Sequence, residues 1–251
     1  MEVACKMHHL NSSWSEHAKR QYVKHALREN EIHNSLKHPN IVKLYETFEI
    51  DSNTICTVLE FCEGPDLSQY MKQYKFLPEK DAKCILKQII AGLRYLHENK
   101  KKIIHYDLKP QNIIFHRVEI KISDFGLCKI MEDNVTRVEL TSQGVGTYWY
   151  LPPECFEIGE SPPNISTKVD IWSLGVIFFE MLFGEKPFGQ NMSQERILKE
   201  QVILHSDDVK FPNKPSISNE CKEFISSCLI KDPEKRWDIN GAINSFYLSK
   251  K

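Results

Sequence analysis

The sequence predicts an α+β fold, and three observations carry that prediction. Residues 1–61 hold short apolar runs around one stretch of helical period. A polar hairpin framed by two more short apolar runs follows near the middle, and beyond it the apolar residues return at helical spacing. With 251 residues, 41% of them apolar, the chain can bury a sizeable core in one or two lobes.

Taken in order, Val3-Ala4-Cys5-Lys6-Met7 has the composition of a strand. Ser13 to Glu16 offers a capping-box start for a helix, continued by Tyr22, Val23, Ala26, Leu27, Ile32 and Leu36 down to the turn His38-Pro39-Asn40. Ile41–Tyr45 and Thr54–Leu59 read as two further strands. From Glu79 to about Asn99, Ala82, Ile85, Leu86, Ile89, Ile90, Leu93 and Leu96 recur at helical spacing and mark a core helix. Ile113-Ile114-Phe115 and Ile120-Lys121-Ile122 are the apolar arms of the hairpin. Asp170 begins a strongly apolar helix, with the aspartate as its N-terminal cap, and Gly184 ends it.

Composition excludes several classes. With 33 Lys+Arg against 34 Asp+Glu there is no global basic field to hold nucleic acid or an anionic membrane. The run Lys100-Lys101-Lys102 follows a helix and reads as its solvated, dipole-favoured end. Eight cysteines carry no CxxC pair, and Cys84, Cys155 and Cys228 sit beside apolar residues, so they read as small hydrophobes in a reducing compartment. No apolar stretch is long enough to span a bilayer and no export signal opens the chain, which predicts an intracellular protein.

The chemistry is concentrated in His105-Tyr106-Asp107-Leu108-Lys109-Pro110-Gln111-Asn112, followed twelve residues after that asparagine by Asp124-Phe125-Gly126. A base, a cation and two oxygen ligands for a metal within one hairpin suit phosphoryl transfer, where catalysis is largely positioning and charge neutralisation. The block resembles the protein-kinase catalytic loop and DFG motif. That resemblance implies a bilobal kinase fold, with residues 1–61 as the small lobe and 62–251 as the hinge and mostly helical large lobe.

It also implies roles. Asp107 accepts the proton of the substrate hydroxyl, Asn112 and Asp124 hold Mg2+, and Lys109 contacts the transferred phosphate, the serine/threonine form of the loop. Lys6 grips the α- and β-phosphates of ATP and pairs with Glu29, counted back from the His-Pro turn by the family's spacing. Glu31 is the alternative, about 200° away around the helix. Leu59 is the gatekeeper, backbone groups of Glu60 and Cys62 bond adenine between Ala4 and Ile114, and Asp66 faces the ribose. Thr147 orients the catalytic loop, Asp170 bonds the backbone of that loop besides capping its helix, and Arg236 pairs with Glu154 of the Pro-Pro-Glu motif.

Leu140-Thr141-Ser142-Gln143-Gly144 and Tyr148-Trp149-Tyr150-Leu151-Pro152-Pro153-Glu154-Cys155, with Lys186-Pro187-Phe188-Gly189, narrow the resemblance to the Tousled-like kinases. These are nuclear serine/threonine kinases linked to chromatin assembly, with a histone chaperone as protein substrate. Two departures stand out. Tyr106 replaces the arginine that commonly reads an activation-loop phosphate, so activity is expected to depend little on phosphorylation at Thr141 or Ser142. The chain also starts at the lysine strand, so the small lobe is expected to lack its first two strands and glycine-rich loop. The alternative reading is then a catalytically weak or silent kinase-fold interaction module.

Overall fold

The computed structural model describes residues 2–249 except 12, 52, 132–134, 141–145, 158 and 160–161, and in the first helix it leaves the side chains of 18, 21 and 24–29 outside the description. Strand β1 (Val3–His9), helix α1 (Glu16–Asn34) and strands β2 (Leu44–Asp51) and β3 (Thr54–Glu60) open the chain. The strands form an antiparallel sheet in the order β1-β3-β2. As the central strand, β3 carries the consecutive buried residues Ile55, Cys56 and Thr57, whereas β1 alternates between exposed and half-buried positions as a strand with one covered face does. The register sets Lys6 opposite Thr57 and Ala4 opposite Leu59.

Two local expectations are corrected here. Ser13 is not the cap of α1, because its N–H and hydroxyl both donate to Asn11 Oδ1 (2.9 and 2.8 Å) and the helix begins at Glu16. The segment 41–45 is not a sheet strand over its length. Val42 N–H donates to Ile122 O (2.9 Å) and the Val42 carbonyl accepts from His33 Nε2 (2.6 Å), so the segment is tied to the body of the molecule until β2 starts at Leu44.

Helices α2 (Leu67–Tyr74) and α3 (Glu79–Glu98) lead into β4 (Lys102–Ile104), the hairpin β5 (Ile113–His116) and β6 (Glu119–Ile122), and β7 (Lys129–Met131), which pairs with β4. A short pair, β8 (Val138–Glu139) with β9 (Asn164–Ile165), precedes α4 (Lys168–Phe183). The chain closes with α5 (Gln194–Lys199), α6 (Val202–His205), α7 (Asn219–Cys228), α8 (Ile239–Ile243) and α9 (Phe246–Ser249). All seven apolar positions predicted for α3 are buried. Helix α4 is buried nearly all round, with Val169, Ile171, Trp172, Leu174, Val176, Ile177 and Phe178 fully enclosed, so it forms the axis of the helical body. It stops at Gly184, whose φ of 71° needs glycine and whose missing Cβ leaves room for the Lys75 carbonyl.

Asp170 is not the cap of α4. Thr167 occupies that position, and Asp170 lies inside the first turn with its carboxylate directed to the catalytic loop. The predicted pair between Arg236 and Glu154 is present, bidentate at 2.7 and 2.9 Å and buried, and the guanidinium also donates to the Ile230 and Lys231 carbonyls. All eight cysteines are free, and Cys155 and Cys228 are buried as expected; Cys84 is exposed, because it falls on the outer face of α3. No helix among the described residues is long and apolar enough to cross a membrane.

Candidate active site

The loop between β4 and β5 is fixed from beneath by one buried carboxylate. Asp170 accepts from His105 N–H (2.8 Å), Tyr106 N–H (2.9 Å) and His97 Nε2 (2.8 Å), so a residue of α4 joins α3 to the loop. Tyr106 has φ of +69°, an outlier for a bulky residue, and the bonds from its own N–H and the His105 N–H to Asp170 hold the backbone there. Its ring is buried, its hydroxyl is hydrogen-bonded to Cys155, and burial is the main reason its phenol is pushed well above the ordinary value. The ring also lies under Gly146, where an added Cβ would sit 3.6 Å from Cε1.

That geometry presents Asp107 to a polar cluster. Oδ2 accepts from Lys109 Nζ (2.6 Å) and from Asn112 Nδ2 (3.2 Å), and Oδ1 accepts from Thr147 Oγ1 (2.9 Å). Lys109 Nζ also reaches Thr147 Oγ1 at 3.1 Å, which closes a ring of three residues, Asp107, Lys109 and Thr147, between the loop and the segment ahead of the Pro-Pro-Glu motif. Asn112 donates to the Asp107 carbonyl (2.9 Å), so its two N–H groups face Asp107 and its amide oxygen is free to face the neighbouring cleft.

Asp124, at φ of +61°, accepts from Lys6 Nζ at 3.0 Å. Burial alone would raise its carboxyl pKa. The charge and hydrogen bond of Lys6, aided by His105 and the Gly126 N–H, outweigh burial and hold it below the ordinary carboxylate value. Phe125 is buried between the rings of His33 and His105, 4.6 and 5.1 Å away centroid to centroid, so α1 and the catalytic loop meet through it.

Lys6, Asn112 and Asp124 line a cleft of about 400 Å³ with Ala4, Leu59, Glu60, Cys62 and Ile114. Eight residues expected from the sequence thus share one wall system. The Glu60 N–H donates to Lys43 O (2.8 Å) and its carboxylate pairs with Lys121 (3.1 Å), so what Glu60 can offer a ligand is its carbonyl. Burial, then the Glu60 charge, pushes the Cys62 thiol up to about 11. An asparagine oxygen and a carboxylate facing one cavity suit a hard cation such as Mg2+, which is typically bound through one or two carboxylates while keeping water and phosphate oxygens.

Asp66 is not among the residues lining the cleft; its Oδ1 accepts from Gln69 N–H (2.8 Å) and caps α2, which leaves Oδ2 for the ribose that the family likeness places there. The Glu29 side chain, and Thr141 and Ser142, lie outside the described residues. Sequence reasoning missed His33, Val42, Thr57 and Ser123 in the cleft wall. Only Thr57 had a signal, as the residue opposite Lys6 once the strand pairing is known. A larger hollow of about 1110 Å³ lies behind α1, near Tyr95, Lys101 and Ile130, and none of these polar groups reaches it.

Comparison with known proteins agrees with this geometry. The protein kinase domain family matches residues 1–248. The serine/threonine-protein kinase tousled-like 1 of Homo sapiens is 55% identical over 98% of this chain, and the serine/threonine-protein kinase TOUSLED of Arabidopsis thaliana is 53% identical over 98%. The tousled-like 1-B kinase of Danio rerio is 56% identical over 98%. The chain spans 33% to 36% of the length of these curated relatives.

Proposed function

Because this chain belongs to the protein kinase domain family, and within it to the Tousled-like serine/threonine kinases, we propose that it transfers the γ-phosphoryl group of ATP to serine or threonine hydroxyls of proteins. The observation that carries the reading is the hydrogen-bonded ring of Asp107, Lys109 and Thr147 joined through Asn112 to a cleft that also holds Lys6 and Asp124. An acceptor hydroxyl approaches Asp107, whose carboxylate takes the proton as the oxygen attacks the γ-phosphorus. The bond from that phosphorus to the ADP oxygen breaks, and the leaving group departs as ADP. Lys109 neutralises charge on the phosphoryl group in flight, and Lys6 holds the α- and β-phosphates. Mg2+ held by Asn112 and Asp124 would supply charge neutralisation for the phosphates.

The division into a small lobe at 1–61 and a hinge and large lobe at 62–251, with β1 equivalent to the third strand of a kinase small lobe, belongs to the same proposal. So do chromatin-assembly factors as substrates and the nucleus as the site of action, both of which rest on the family likeness.

The test is Mg2+-dependent transfer from ATP to a protein acceptor by this chain and by Asp107→Asn. The variant is expected to lose about a hundredfold or more in rate, the usual contribution of a positioned base. An unchanged rate in Asp107→Asn would remove the residue from its role, and a folded chain that transfers nothing would remove the enzyme reading.

A further inference from the structure

Beside the catalytic loop, with Gln111 in its wall, lies a second cavity of about 560 Å³, walled by α2, the segment after it and the end of α4. Its charged lining residues are Lys72, Lys75, Lys186 and Glu180. The single carboxylate is already engaged on both oxygens: Oε1 accepts from Lys186 Nζ at 3.0 Å and Oε2 from the Tyr150 hydroxyl at 2.7 Å. The Lys186 ammonium also stands over the Trp149 and Tyr150 rings, 5.6 and 5.8 Å from their centroids, so a basic guest would have to displace a well-held cation to reach Glu180. Lys72 and Lys75 are exposed, and among the described residues no carboxylate lies within ion-pair distance of either.

The backbone holds one of these lysines in a strained geometry. Lys75 has φ of 60° and ψ of −54°, and Phe76 N–H donates to Tyr74 O at 2.7 Å, which makes Lys75 the centre of a γ-turn of the rare positive-φ kind. Such strain persists only where the surroundings impose it. Here Leu77 N–H donates to Met181 O (2.6 Å) and the Lys75 carbonyl packs against Gly184, so α4 enforces the turn at the rim of the cavity.

The distance to the chemistry is short. Gln111 lines the cavity and follows Asp107 by four residues, a separation of at most about 14 Å along the chain. That is the reach of about four extended residues of an acceptor polypeptide.

We propose that this cavity receives the residues of the acceptor polypeptide that flank its serine or threonine, and that it selects acidic side chains there. Lys72 and Lys75 supply the attraction, and the occupied Glu180 together with the surplus of positive charge rejects lysine and arginine. The proposal rests on the kinase reading for its acceptor, but it concerns a binding surface that can be examined without turnover.

The test uses fluorescein-labelled peptides with one central serine in an alanine background, carrying glutamates or arginines within four residues on either side. Anisotropy with the unmodified chain and with Lys72→Glu/Lys75→Glu measures binding, and phosphate transfer gives kcat/KM for the same peptides. Glutamate peptides are expected to surpass arginine peptides by about tenfold or more in kcat/KM, mainly through KM, and the double variant is expected to reverse the order. Both lysines are exposed, so the melting temperature of the variant should match that of the parent. Equal use of both peptides, preference for arginine, or an order unchanged in the double variant would overturn the proposal. Transfer to no acceptor at all, with glutamate-peptide binding still lost in the double variant, would instead sink the kinase reading and leave the acidic-peptide surface standing.

Discussion

At position 106 a buried tyrosine does with an apolar ring what a buried cation could do only with a phosphate partner. The ring rests under Gly146 and its hydroxyl meets Cys155, so the segment ahead of the Pro-Pro-Glu motif is seated on the catalytic loop by packing. Tyr106→Phe keeps the ring and is expected to retain nearly full transfer activity. Tyr106→Ala empties the seat and is expected to lower kcat by about tenfold or more with little change in KM for ATP, since Asp107 is displaced while the cleft is not. Steady-state kinetics beside a thermal melt separate this from simple unfolding, and equal kcat values in Tyr106→Ala and its parent would refute the seating role. Asp107, Asn112, Asp124 and Lys6 could be picked out of the sequence because they match the spacing of the kinase motifs, and the fold brings Lys6, Asn112 and Asp124 to one cleft with Asp107 bonded to Asn112. Asp66 and Asp170 show how a carboxylate near a helix start satisfies the same local rule in two ways: the first caps α2, and the second keeps only the bond to the catalytic-loop backbone that the family likeness implied. Only the tertiary approach of α4 to residues 105 and 106 decides the second case.

Among the elements, α3 and α4 were read almost to the residue, since long runs of helical period and a terminal glycine leave little freedom. The stretch 41–45 was not, because His33 and Ile122, contacts remote from any local pattern, hold it against the body. The link between the Pro-Pro-Glu motif and the C-terminal helices is the pair Glu154 and Arg236, enclosed on all sides and stacked with the guanidinium carbon 5.0 Å from the Trp172 ring centroid. Glu154→Ala strands a buried guanidinium and is expected to lower unfolding free energy by about 3 to 5 kcal/mol. Replacing both partners with apolar residues of similar volume is expected to cost much less. Urea unfolding of the single and double variants tests this, and a single variant as stable as its parent would contradict it.

For the whole molecule, burial rises steeply from β1, which among the described residues has β3 as its one neighbouring strand, to α4, which is enclosed nearly throughout. Native-state hydrogen exchange is therefore expected to run fastest in β1, slower in β3 and slowest in α4. Amides of α4 exchanging alongside those of β1 would show that the helical body is not the last part to open. The pattern of apolar runs foretold an α+β chain, and the helical spacing of α3 places Cys84 about 200° from Ala82, opposite the buried face, although its apolar neighbours in sequence suggested burial. The carboxylate of Asp170 gives that gradient a further meaning. The loop bearing Asp107 has its footing in α3 and α4, whereas the nucleotide cleft draws much of its wall from the sheet. If the chain acts as proposed, a perturbation that loosens the helical axis would leave a cleft that still fills with nucleotide while Asp107 loses its place, so occupancy of the cleft would be no measure of whether this molecule is switched on.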